Sequence, residues 1–231
     1  MSVESELIIS ILKLSKTDVV LQKHINIEAK IGYGLCQKLL VKLQNAGLVN
    51  VREGILETTS VQRLKLAVYA IQQGADIERV SSFLHWKEFE AMTAAVLEKN
   101  HFNVQTNVHF SHVGHRWEID VVGCKKPTCL CIDCKHWHHG LHRSALMKIV
   151  DKHIERTSAF ADSLPNPARK IECNSWNEVN VVPAIISLMP GTFKFHSKVP
   201  IVPALQLQEF LSQLPAYANS LKHFLRLINH L

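Results

Sequence analysis

The sequence predicts an α/β protein in two parts. Three observations predict it: helical spacing of apolar residues over the first third, closing on a short hairpin; a pair of strand-type runs between Arg116 and Trp137; and a long amphipathic helix followed by two further apolar runs. Together they give a small helical unit with a hairpin and connector helices over residues 1–84, and a mixed central sheet flanked by helices over residues 85–231. At 231 residues, 47% of them hydrophobic, the chain is long enough for two modest cores.

In the first part, Leu7, Ile8, Ile11, Leu12 and Leu14 recur at helical spacing from Glu4 to Leu14. A second short helix follows Thr17, and a third runs from about Gly34 to Ala46 with Leu35, Leu39, Leu40 and Leu43 as its apolar face, stopped by Gly47. Leu48 to Thr58 makes two short runs turning at Glu53-Gly54. Thr59 or Ser60 caps the next helix, carried by Val61, Leu64, Val68 and Ile71 and ended by Gly74; Asp76 starts another through Leu84.

The second part opens with a helix from about His85 to Asn100, then a strand marked by Phe102, Val104, Val108 and Phe110, then a loop over Ser111 to His115. Arg143 to Leu164 is a long helix with Leu146, Ile149, Val150, Ile154, Phe160 and Leu164 inward and Arg143, Lys148, Lys152 and Arg156 outward. Pro165 to Asn180 loops, Val181 to Met189 and Val199 to Val202 are strands, and helices over Ala204–Leu214 and Tyr217–Leu231 close the chain. The last, with Leu221, Phe224, Leu225, Ile228 and Leu231 apolar, either completes the core or joins two copies as a homodimer.

The chemistry concentrates between Arg116 and Trp137. Ile119-Asp120-Val121-Val122 and Leu130-Cys131-Ile132-Asp133 are strand runs joined by a Gly-Cys-Lys-Lys-Pro turn. Residues two apart on a strand share a face, so Glu118 goes with Asp120, and Cys131 with Asp133 and Lys135. Pairing the runs brings Asp120, Asp133 and Lys135 together, and two carboxylates beside an ammonium suit a hard divalent cation and a positioned water. Glu90 lies in or beside the apolar stripe of its helix, where an unpaired carboxylate would be costly.

The order Phe89-Glu90, Glu118-Ile119-Asp120-Val121-Val122 and Ile132-Asp133-Cys134-Lys135-His136-Trp137 resembles the PD-(D/E)XK restriction endonuclease-like superfamily, especially its Mrr-like and archaeal Holliday junction resolvase-like nucleases. The similarity spans roughly Trp86 to Val202. It implies a site in which Glu90, Asp120 and Asp133 hold Mg²⁺ or Mn²⁺, Lys135 completes the catalytic set, and DNA is the substrate. Two positions differ: Ile119 stands where the motif has proline, and Mrr-like members often carry glutamine at the place of Asp133. The first 84 residues resemble winged helix-turn-helix domains, including the MarR-like group, by pattern alone. That likeness implies DNA contacts from Lys38, Lys42, Gln44 and Arg52, and the basic edge with Arg143 and Lys148 offers more. The competing expectation is a winged-helix DNA-binding regulator whose nuclease fold is inactive.

A net charge of +6 permits nucleic-acid binding without requiring it. No run of about 18 apolar residues occurs, and no basic region precedes the first apolar stretch, so neither a membrane span nor a secretion signal is expected and the expected compartment is the cytoplasm. Cys124, Cys129, Cys131 and Cys134, followed by His136, His138 and His139, invite a zinc reading. Only Cys131 and Cys134 form a C-x-x-C, and on a strand these two face opposite ways, so the four sulfurs do not converge. The cysteines are expected to be small buried residues. Among fourteen histidines, His115 and His136 are the candidates to approach a substrate, and Trp137 is expected to pack.

Overall fold

The computed structural model describes residues 2–16, 19–76, 79–80, 82–135, 143–165, 170–188, 191 and 193–228. These form two compact units, one running through Met92 and the other starting at Thr93.

In the N-terminal unit, α1 (Val3–Leu14) is capped by the Ser2 side chain and buries Leu7, Ile8, Ile11 and Leu12. After it come β1 (Val20–Leu21), α2 (Gln22–Glu28), α3 (Tyr33–Asn45), β2 (Asn50–Arg52) and β3 (Ile55–Glu57), and the strands form an antiparallel sheet in the order β1-β3-β2. The strand β1 is too short to leave a sequence pattern. The buried face of α3 is Cys36, Leu40 and Leu43; Leu35, expected inside, is 46% exposed. Gly47, at φ +69°, ends α3 by letting Leu48 N–H turn back to the Leu43 carbonyl, a left-handed stop that a Cβ would oppose. Helix α4 (Ser60–Gln72) starts with a capping box, Thr59 accepting from Gln62 N–H and the Gln62 side chain accepting from Thr59 N–H. The short helix expected from Asp76 lies partly outside the described residues.

Arg63 of α4 is 3% exposed. Its guanidinium donates to Glu88 Oε1 at 2.5 Å, the Leu12 carbonyl at 2.9 Å, Ser15 Oγ at 2.5 Å and the Phe83 carbonyl at 2.6 Å. This buried charge ties the start of the next helix to α1, and nothing in the spacing of α4 announces it.

The division between the units falls inside α5 (Trp86–Lys99). The C-terminal unit continues with β4 (Asn103–His112), β5 (His115–Lys125), β6 (Thr128–Lys135), α6 (Arg143–Asp162), β7 (Glu178–Ser187), β8 (Phe195–His196), β9 (Val199–Pro203), α7 (Leu207–Tyr217) and β10 (Phe224–Leu227). The seven-stranded sheet has the order β4-β5-β6-β7-β9-β8, with β10 also paired to β7. β4, β5 and β6 are antiparallel, β6-β7 and β7-β9 parallel, so the sheet is mixed, as the alternation of strands and helices predicted. One face packs on α6, where Val122, Cys131 and Phe160 share a core; on the other, Leu97 of α5 lies over Gly123, where a Cβ would come within 3.2 Å of a Leu97 methyl.

Three local expectations differ from the structure. Ser111 to His115 is no loop: β4 and β5 run on to His112 and His115, joined by Val113-Gly114, both at positive φ, the two-residue turn whose twist matches the strands. Gly123 and Cys124 are strand residues, not turn. Pro183 sits within β7 without cost, because β10 pairs with residues up to Val181 and β9 takes over from Ile185, leaving Pro183 between the two. Residues Phe224 to Leu227 form a strand against Val181 to Glu178, in place of the expected C-terminal helix. Among the described residues no helix is long and apolar enough to cross a membrane.

Candidate active site

The β5–β6 ladder runs from Lys125↔Thr128 to Val121↔Ile132. One residue beyond it, Asp120 Oδ2 accepts the Cys134 backbone N–H at 2.7 Å, so a side-chain carboxylate takes the place of a ladder carbonyl. On its other edge, Asp120 falls between the pairs Thr106↔Val121 and Val108↔Ile119, opposite Asn107, which adopts φ +51°. Asparagine tolerates that left-handed conformation better than most residues. The sheet is therefore irregular on both sides of Asp120, and a carboxylate is displaced from the regular pleat.

Asp133, the last but two residue of β6, is 2% exposed. Lys135 Nζ lies 3.0 Å from its Oδ1 and 2.9 Å from its Oδ2, and Arg156 Nη1 of α6 donates to Oδ1 at 2.9 Å. Behind it, His153 is fully buried, its Nε2 2.9 Å from the Cys131 carbonyl. A carbonyl only accepts, so Nε2 carries the proton. Asp120, Asp133 and Lys135 line one cavity of about 290 Å³ together with Glu118, Arg116, Trp117, Lys152 and Arg156. Four cationic side chains against three carboxylates leave room for an anionic ligand.

The two carboxyls titrate in opposite directions. Burial pushes the Asp120 carboxyl up, and the charge of Asp133 adds to it, against the Cys134 N–H, Lys135 and Arg156. Burial works against ionisation of Asp133 too, but the field of His153, Lys135 and Arg156 outweighs it and holds the carboxyl below the ordinary range. Burial itself lowers His153 to about 4, so at neutral pH the imidazole is uncharged and the lysine and arginine supply that field. Asp120 Oδ1 has no hydrogen-bond donor among the described residues. A cation beside it would relieve both its desolvation and its repulsion from Asp133, so the donor set fits a hard divalent ion.

The structure thus brings together Asp120, Asp133, Lys135 and the spare acid Glu118. Glu90 is 4% exposed on the stripe of α5 that also carries Thr93 and Leu97, in the part of that helix grouped with the N-terminal unit. Trp86, one turn before Glu90, is 53% exposed. Lys38 and Arg52 are exposed; Lys42 is bound to Glu4 at 2.8 Å. Arg143 and Lys148 are exposed on α6 outside the cavity, Arg143 beside the Phe193 ring. His115 is stacked obliquely near Trp117, while His136 and Trp137 lie outside the described residues. Arg156 and Lys152, on the outward edge of the helix by spacing, line the cavity. Their spacing of four on one helix, in line with Lys148, was the available signal.

Fold and site define a mixed α/β protein with a carboxylate–lysine cluster at a strand irregularity. No protein-family model matches the chain. It is 30% identical over 135 residues to an uncharacterized protein of Archaeoglobus fulgidus, a match covering 58% of this chain and 95% of that one, and it belongs to the same family. Two solved structures are similar at low scores. One is a protein of unknown function, AF1548, with a TM-score of 0.30 and 21% identity over 42% of this chain and 44% of that chain. The other is protein VC1899 from Vibrio cholerae, with a TM-score of 0.38 and 12% identity over 94% of this chain and 52% of that chain. The chain spans about half the length of each.

Proposed function

We propose that this protein is a divalent-metal-dependent endodeoxyribonuclease acting in DNA repair, recombination or restriction, with a restriction endonuclease-like C-terminal domain. The observation that carries the reading is the convergence of Asp120, Asp133 and Lys135 in one cationic cavity, in the order of the PD-(D/E)XK motif. Asp120 and Asp133 are the residues that would hold Mg²⁺ or Mn²⁺. When bound, such an ion acidifies a water and offsets charge building on the phosphate. Lys135, fixed by both Asp133 oxygens, positions that water or meets the developing negative charge. Arg116 and Lys152, on the same cavity, bind the phosphate backbone, and Arg156 keeps Asp133 ionised.

The N-terminal unit, three helices before a β2-β3 hairpin, supports reading it as a winged helix, with exposed Lys38 and Arg52 as its DNA contacts. Lys42 is held by Glu4 and contributes less.

The test is cleavage of labelled duplex, flap, single-stranded and four-way-junction DNA with Mg²⁺ or Mn²⁺, by wild type, Asp133→Ala and Lys135→Ala. Metal-dependent cutting lost in both variants is the expected result. Binding without cutting in either metal would overturn it in favour of the winged-helix regulator.

A further inference from the structure

Away from the carboxylates, the face of the sheet beneath α6 holds a second cluster that the nuclease reading does not use. Cys124 and Cys129 are directly paired across β5 and β6 with their Sγ atoms 3.7 Å apart. Cys173, from the single-turn helix Glu172–Ser175, joins them, and all three sulfurs lie within 4.8 Å of one another. All three are buried at 2% exposure or less. The two ends of this triad are some 49 residues apart in sequence, so no cysteine spacing announces it; C-x-x-C, the motif the sequence offers, is split by the pleat, and the Cys134 sulfur contacts Thr93 instead.

We propose that Cys124, Cys129 and Cys173 form a structural site for a thiophilic divalent ion, zinc foremost. Tetrahedral coordination at the zinc–thiolate distance places neighbouring sulfurs about 3.8 Å apart, which is the separation that Cys124 and Cys129 already have. The three sulfurs share a buried core with Phe160, Ile171 and Trp176. An ion there would replace the shared thiol protons, which leave on binding, and would staple the connection after α6 to the hairpin that carries Asp133 and Lys135. The ion is distinct from any held by the carboxylates, because soft sulfur ligands select zinc and its neighbours over Mg²⁺.

Elemental analysis of the purified full chain, with thiols counted after denaturation, tests this. The expected result is about one zinc per chain, lost from Cys124→Ser and Cys173→Ser and retained by Cys36→Ser and Cys134→Ser. If the first two variants do not fold, wild type refolded with Co²⁺ should show the intense sulfur-to-cobalt absorption of a tetrahedral thiolate site. Six reduced thiols and no metal would reduce the cluster to ordinary core packing and overturn the proposal. Missing thiols without metal would mean a disulfide, and metal retained in Cys124→Ser and Cys173→Ser would put it elsewhere; either overturns it. None of these outcomes depends on DNA cleavage.

Discussion

Arg63 and Asp133 are both buried charges, 3% and 2% exposed, and the protein accommodates them in opposite ways. Arg63 is closed off: a carboxylate, a hydroxyl and two backbone carbonyls receive its donors, all inside the N-terminal unit. Asp133 is half open: its partners Lys135 and Arg156 keep 32% and 18% of their side chains exposed and line a cavity, and a second carboxylate stands beside it. A buried charge with a complete set of internal partners is architecture. One whose partners reach solvent, next to a like charge with an unmatched oxygen, is arranged for something that arrives from outside.

The sharpest way to break this contrast is to remove each charge. Arg63→Met removes the cation beside Glu88, whose side chain is 11% exposed, and orphans the Leu12 and Phe83 carbonyls, and should cost about 3–5 kcal/mol in chemical denaturation. Asp133→Asn, whose former partners keep access to water, should cost about 1–2 kcal/mol. The reverse order would refute the distinction.

His153 sets the next effect. A base whose native pKa, about 4, lies below its ordinary 6.5 takes its proton late. As pH falls below 6.5 the unfolded chain is protonated first, so stability declines down to about pH 4, by about 3 kcal/mol in all. His153→Phe should flatten that slope, as followed by urea melts at successive pH values.

Asp120 is predicted to behave as a residue kept for function against stability. Its carboxyl is raised, so its ionised form costs stability above the native pKa, and the cost vanishes as pH falls toward 3.8. Asp120→Asn, which can still accept from Cys134 N–H, should therefore be more stable than wild type at neutral pH by about 1 kcal/mol, without added divalent metal. The gain should shrink in acid. The smallest effect belongs to the surface: Lys13 and Glu28 pair at 2.6 Å, yet Lys13→Ala should change stability by less than about 0.5 kcal/mol, since this ion pair is open to water.

The same contrast explains what could be read from sequence. Asp120, Asp133 and Lys135 were legible because a strand has period two and the relevant residues lie within one hairpin. The mixed sheet was legible from alternating strand and helix patterns. Arg156 was not, because a basic residue on a helix edge reads as solvated unless the acid it meets is known, and Asp133 is 23 residues away. Arg63 was hidden for the same reason. Leu221, Phe224, Leu225 and Ile228 satisfy a helical period equally well, and only the vacant edge of β7 decides for a strand. Cys173 carries no signal at all until the fold returns it to the hairpin.

Single-turnover cleavage of duplex and junction DNA by wild type and Asp120→Asn, with thermal unfolding of the same samples, tests the central claim most directly. The account predicts a variant that is folded, at least as stable as wild type and slower in metal-dependent cutting by at least about a hundredfold. A variant that cuts at the wild-type rate, or a wild type that cuts nothing with either metal, would contradict it.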